Sequence, residues 1–166
     1  VDLQQDILDH MDFMPVIRRP PALMDARIFG DEPMGLRRAL LDIPLAQRLS
    51  YDAQQNLFFV NFEGLSVRTA ADIDHIAGAV DAALAPVGHR VNAIVNYDRF
   101  SIVPELVDDY IRMVKSLMDH HYNEVTRYST NSFLRMKLGE ALQKQDIAPQ
   151  LFESADEAEG RLRAAR

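Results

Sequence analysis

The sequence predicts an α/β domain with a mostly parallel sheet, and three observations carry that prediction. Short apolar runs that suit strands alternate with longer amphipathic stretches that suit helices. The first two strand-like runs are separated by only five polar residues, as in a hairpin. The remaining ones are each separated by a helical segment, the spacing that parallel strands require. The element order over residues 47–166 is therefore β-β-α-β-α-β-α-β-α, with helices covering the sheet, and a lead-in of mixed extended and helical character precedes it over residues 1–46.

In the lead-in, Asp2 is placed to cap a helix whose apolar residues Leu3, Ile7, Leu8 and Met11 share one face. Phe13 to Ile17 reads as extended and stops at Arg18-Arg19-Pro20-Pro21. Pro33, Gly35 and Pro44 leave room for one short helix, Leu36 to Leu41. The domain proper opens with Arg48–Tyr51 and Leu57–Phe62 around the loop Asp52–Asn56. Leu57 to Phe62 is apolar at nearly every position, which predicts burial on both faces.

Thr69 opens the next helix, with Asp72 three residues on as the second half of a capping box. Ile73, Ile76, Val80 and Leu84 form its inner face, and Gly88 follows its end. Arg90 to Asn96 is the next strand. Pro104 then suits the first turn of a helix whose wide apolar face holds Val107, Tyr110, Ile111, Val114, Leu117 and Met118. Val125 to Ser129 is a further core strand. Asn131 or Ser132 caps the helix that runs to about Lys144, and Gln150 to Phe152 is a short last strand. Ser154 and Glu157 form an S-x-x-E box ahead of the terminal helix.

Composition narrows the function classes. The 166 residues are 48% apolar and 26% charged, in the range of a globular protein. With no cysteine there is no disulfide, thiolate nucleophile or cysteine zinc site, which suits a reducing cytoplasm. The net charge of −7 argues against a nucleic-acid or anionic-membrane partner. No apolar run approaches the length of a membrane span, and the acidic start lacks the pattern of a signal peptide.

His120 and His121 sit beside Asp119, but neighbours on a helix point about 100° apart and their rings do not converge on a metal. No G-x-S-x-G elbow and no dinucleotide loop is present. One polar cluster remains. The carboxyl ends of two parallel strands, where ligands tend to bind, carry Asn96-Tyr97-Asp98 and Ser129-Thr130-Asn131-Ser132, with Arg127 and Arg135 nearby. Amides, hydroxyls and arginine at a helix start can hold an anion. The same residues also read as a helix cap with a solvated arginine beside it.

The order over residues 48–166, ending in FESADEAEGRL, resembles the STAS-like domain of the anti-sigma-factor-antagonist family. That resemblance implies a signalling module that binds a protein partner or a nucleotide, in which a serine after the central strand is phosphorylated. Ser101 is the matching serine. The small-residue turn of that family is replaced here by Tyr97-Asp98-Arg99-Phe100, and the nearby acids Glu105, Asp108 and Asp109 oppose a phosphate.

The lead-in phrases VDLQQDILDHMDFMPVI and MDARIF resemble the C-terminal tail of family I CoA-transferases, through Asp2, Leu3, Asp6, Ile7, Met11, Phe13, Pro15, Ile17, Met24, Asp25, Arg27 and Phe29. In that family a glutamate carries CoA as a thioester, and it lies far upstream of the tail. The resemblance implies that this chain is the C-terminal portion of a larger enzyme, cut upstream of Val1. CoA or acyl-CoA is then the parent's cofactor, and no cofactor, metal or catalytic residue is expected in this chain. The upstream body would be its partner. Without that body, exposed Leu3, Ile7, Met11 and Phe13 would drive association of copies through the lead-in.

Overall fold

A computed structural model describes residues 43–164. They belong to the second of the two units into which the chain divides, Arg37–Arg166. The expected helices and strand of the lead-in before Ile43 lie outside the described residues.

Two sheets organise the domain. The main sheet has five strands: β1 (Leu49–Asp52), β2 (Leu57–Asn61), β4 (Val91–Asn96), β6 (Tyr122–Tyr128) and β7 (Leu151–Phe152), adjacent in that order. β1 and β2 form the antiparallel hairpin, and every later pairing is parallel. The second sheet joins two-residue strands, β3 (Ser66–Val67) and β5 (Ser101–Ile102), in parallel. The helices are α1 (Ala70–Leu84), α2 (Val107–His121), α3 (Ser132–Gln143) and α4 (Ala155–Ala164). The sequence-based order is thus reproduced, with β3 and β5 as additions.

Among the described residues the two faces of the sheet are covered unequally. On one face Phe58, Val60, Val91, Ala93, Val95 and Val125 pack with the buried residues of α1, α2 and α3 in one large core. On the other face Leu57 and Ile94 meet only Ala158 and Leu162 of α4 among the buried residues. β2 therefore alternates between two cores, which explains why its sequence is apolar at nearly every position.

The local signals that set these elements act as expected. Thr69 Oγ1 accepts from the Asp72 N–H at 3.3 Å, and the Asp72 carboxylate accepts from the N–H groups of Thr69 and Arg68, both at 2.8 Å. At α4 the Glu157 N–H donates to Ser154 Oγ at 3.3 Å, while the Glu157 carboxylate accepts from the Glu153 N–H at 3.1 Å, one residue before the cap. Pro104 forms a 3-10 turn to Leu106 before α2 begins. Arg90 closes the far end of α2 by donating to the carbonyl of Met118 at 2.9 Å and to that of Tyr122 at 2.8 Å. A cation there also complements the negative end of the helix dipole.

β6 starts at Tyr122, three residues earlier than the apolar run implied. Val91 pairs with Tyr122 but Ala93 with Val125, so β6 carries one extra residue there. This bulge keeps Tyr122 and Val125 on the same face and turns Glu124 towards α4. Glu124 there pairs with Arg161 at 3.7 Å. Among the described residues no helix is long and apolar enough to cross a membrane.

Candidate functional site

The carboxyl ends of β4 and β6 hold the polar cluster that the sequence singled out, and the structure divides it in two. The first part is a closed network. Asn96 donates to Asn61 Oδ1 at 3.1 Å and accepts from the Asp98 N–H at 2.9 Å. This turns the chain sharply after β4. Arg99, next along, takes a left-handed conformation with φ 55°, which is uncommon for a residue other than glycine. The Asp98 carboxylate then crosses to the start of α3. It accepts from the Thr130 N–H at 2.6 Å, from Thr130 Oγ1 at 2.9 Å and from Ser129 Oγ at 3.3 Å.

The helix start is completed by neighbouring side chains. Ser129 Oγ accepts from the Asn131 N–H at 3.2 Å. Asn131 Oδ1 accepts from the Leu134 N–H at 3.1 Å, which makes Asn131 the cap, as its amide oxygen suits it to be. Arg135 donates back to the Ser129 carbonyl and stands 3.9 Å from Glu153. Ser132 is the exposed first residue of α3. Donors suited to an anion are present, but a carboxylate of the chain itself occupies them. An external anion would have to displace Asp98 or accept its repulsion.

The second part faces the opposite way. Tyr97 and Arg127 are neighbours of the cluster in sequence, but their side chains enter the large core and are almost fully buried, at 2% and 1% exposure. They line a cavity of about 30 Å³ between the sheet and helices α1 and α2. Its walls are otherwise apolar except for the phenols of Tyr110 and Tyr122. The Tyr97 and Tyr110 hydroxyls are 2.8 Å apart. The Arg127 guanidinium donates to the Pro149 carbonyl at 3.1 Å and lies 3.2 Å from Met118 Sδ. Among the described residues it has no ion pair with a carboxylate.

Burial dominates the electrostatics here. Removing the Arg127 charge from water lowers its pKa, and the neighbouring Tyr97 and Tyr110 oppose that shift. The phenols move the other way. Burial raises Tyr97, against the pull of Arg127, and raises Tyr110 strongly, with Tyr97 adding to the effect. Tyr122 is also pushed up by burial. The upward shifts keep the three phenols protonated at neutral pH, and an arginine guanidinium keeps its charge there.

The sequence signal that separates the two parts is strand parity. Val91, Ala93, Val95 and Tyr97 alternate onto one face, as do Val125 and Arg127. Sequence reasoning missed Tyr110 and Tyr122 as companions of Arg127, because on their own they read as core aromatics.

The remaining polar candidates lie elsewhere. Ser101 is on β5, not in a loop, and its exposed hydroxyl is 2.9 Å from that of Ser66. His120 contacts the Ser116 carbonyl at 2.7 Å, whereas His121 contacts Asp81 of α1 at 2.7 Å. Among the described residues no group of three potential metal ligands occurs.

Fold and site together define a mixed α/β domain with a mostly parallel sheet, covering helices and a polar cluster at the strand ends. Likeness to proteins of known activity is confined to a short stretch. Over 35 residues, 21% of the chain, the sequence is 63% identical to the acetate CoA-transferase YdiF of Escherichia coli strain K12, and equally to YdiF of E. coli O157:H7. The match spans 7% of the length of either enzyme. No protein-family model and no solved structure matches the chain. The chain is thus related to a CoA-transferase over that stretch.

Proposed function

We propose that the chain is a non-catalytic accessory or interaction portion of a CoA-transferase-like protein. The carrying observation is the 63% identity to acetate CoA-transferase over 35 residues. We assign that stretch to the lead-in, whose residues Asp2 to Phe29 resemble a CoA-transferase tail. The parent would transfer CoA between carboxylic acids through a glutamyl thioester formed outside this chain, in the cytoplasm. The described domain would be a STAS-like module that docks on the catalytic body or on another subunit. The engaged state of the Asp98 network supports a structural role for the strand ends, since its donors already have partners.

Sedimentation of the full chain against a shortened chain starting at Gly35 tests this reading. The full chain is expected to self-associate through the apolar lead-in, and the shortened one to remain monomeric. Identical monomeric behaviour of both counts against it.

A second reading is a free-standing STAS-type signalling module that binds a protein partner or a nucleotide. The exposed Ser101 hydroxyl at the edge of the β3–β5 sheet favours it. Modification found at Ser101, or a thermal shift with nucleotides, would support this reading over the first.

A further inference from the structure

Two large apolar side chains stand exposed among the described residues, Phe133 at 64% and Met136 at 49%. Both lie on α3, three residues apart and hence on one face. Lys137, Glu140, Gln143 and Lys144 continue the same exposed stripe. Lys137 stands 6.0 Å from the Phe133 ring and 3.2 Å from Glu140. Beside Met136 the stripe borders an open groove between α3 and β7, lined by Gly139, Leu151 and Phe152. β7 is the last strand of the main sheet, with no strand on its outer side among the described residues. One exposed apolar residue needs no account, but two adjoining ones beside an open groove form a patch that a partner can cover.

Charge narrows the choice of partner. α3 carries Arg135 and Lys137 against Glu140, and Lys144 follows at its end. The other described helices, α1, α2 and α4, each carry more acids than lysines and arginines. In a chain of net charge −7, α3 is therefore the described helix with a basic excess. The lead-in has the complementary character. Its first 13 residues, VDLQQDILDHMDF, hold the aspartates Asp2, Asp6, Asp9 and Asp12 and no lysine or arginine. Their spacing sets Leu3, Ile7 and Met11 on one helical face, with Asp6 at the border of that face.

We propose that the exposed face of α3 docks the acidic lead-in segment, Val1 to Phe13, of a second copy of this chain. Leu3, Ile7 and Met11 would cover Phe133 and Met136, and the aspartates would meet Lys137 and Lys144 at the rim. Residues 14–42 join that segment to its own domain, a stretch that extends to about 100 Å at most. Reciprocal exchange of lead-ins between two copies is within that reach and closes a dimer. Each contact of one helix face buries less than the roughly 1,200 Å² of a standard interface, so a micromolar affinity is expected. The inference rests on the reading that the lead-in drives association of copies, and it adds the surface that receives it.

Sedimentation equilibrium of the full chain over a dilution series at low salt tests the proposal. The unaltered chain is expected to dimerise. Phe133→Ser changes an exposed side chain, so the fold should survive, and dimerisation should weaken at least about ten-fold. Lys137→Glu with Lys144→Glu should weaken it by a similar factor. Adding Asp6→Lys and Asp9→Lys to that pair should restore it, which a merely structural effect on α3 would not do. A dimer undiminished in Phe133→Ser overturns the assignment to α3 and leaves association through the lead-in standing. Weakening in Phe133→Ser without rescue by the reversed aspartates places two α3 faces against each other and overturns the lead-in as occupant. A monomeric full chain overturns both this inference and association through the lead-in.

Discussion

Asp98 accepts from the Thr130 backbone N–H at 2.6 Å, so a carboxylate at the end of β4 sits on the first turn of α3. One side chain thereby ties two strand ends and a helix start together through three donors. Replacing Asp98 with Ala leaves the Ser129 hydroxyl, which is fully buried, and the Thr130 N–H without this acceptor. The expected loss is about 2 kcal/mol, the scale of hydrogen bonds to a charged group. Urea unfolding checks it. Asp98→Asn, which retains one oxygen acceptor, should lose distinctly less.

The capping box of α1 gives a pH dependence. Hydrogen bonds from the Arg68 N–H, then from Thr69, hold the Asp72 carboxyl below the ordinary aspartate value. A lowered folded-state pKa means that the unfolded chain binds the proton first as pH falls. The contribution is therefore complete above about pH 4 and is lost as pH drops through the folded value. Asp72→Asn should flatten this part of the acid-unfolding profile. Thr69→Ala should cost about 1 kcal/mol at neutral pH, measured by urea unfolding.

The buried phenols predict the opposite limb. Tyr97, Tyr110 and Tyr122 have raised pKa values. Above about pH 10 the unfolded chain therefore releases protons that the folded one keeps. Stability is unaffected by these groups below that pH and falls as pH rises beyond it. Ultraviolet titration should show these phenols ionising together with loss of structure. Tyr110→Phe should reduce the steepness of alkaline unfolding.

Among the described residues α4 alone covers the second face of the sheet, with Leu162 as its main anchor beside Ala158. Leu162→Ala should destabilise by about 3 kcal/mol. Hydrogen exchange should then show faster opening of α4 than of α2, because the larger core stays intact.

Much of this fold was legible in the sequence because its signals are local. The Thr69–Asp72 box, the α1 face from Ile73 to Leu84 and the α2 face around Tyr110 and Val114 follow from periodicity and cap chemistry alone. β3 and β5 were not legible, since two-residue strands carry no period. The early start of β6 was hidden by Asn123 and Glu124, whose polarity reflects a bulge and an outward turn. At the site, the residues that gather at the strand ends were legible, but their sorting was not. Arg127 looked like a partner of Ser129 and Thr130 until strand parity placed it with Val125 on the core face. That Asp98 would fill the helix start depends on the turn at Arg99, whose left-handed backbone no glycine announces.

Transfer of CoA from acetyl-CoA to propionate, followed by chromatography of the acyl-CoA products, bears most directly on the non-catalytic role. The purified full chain is predicted to form no propionyl-CoA above the buffer blank. Propionyl-CoA formation that disappears when one carboxylate of the chain is replaced by its amide would contradict that role.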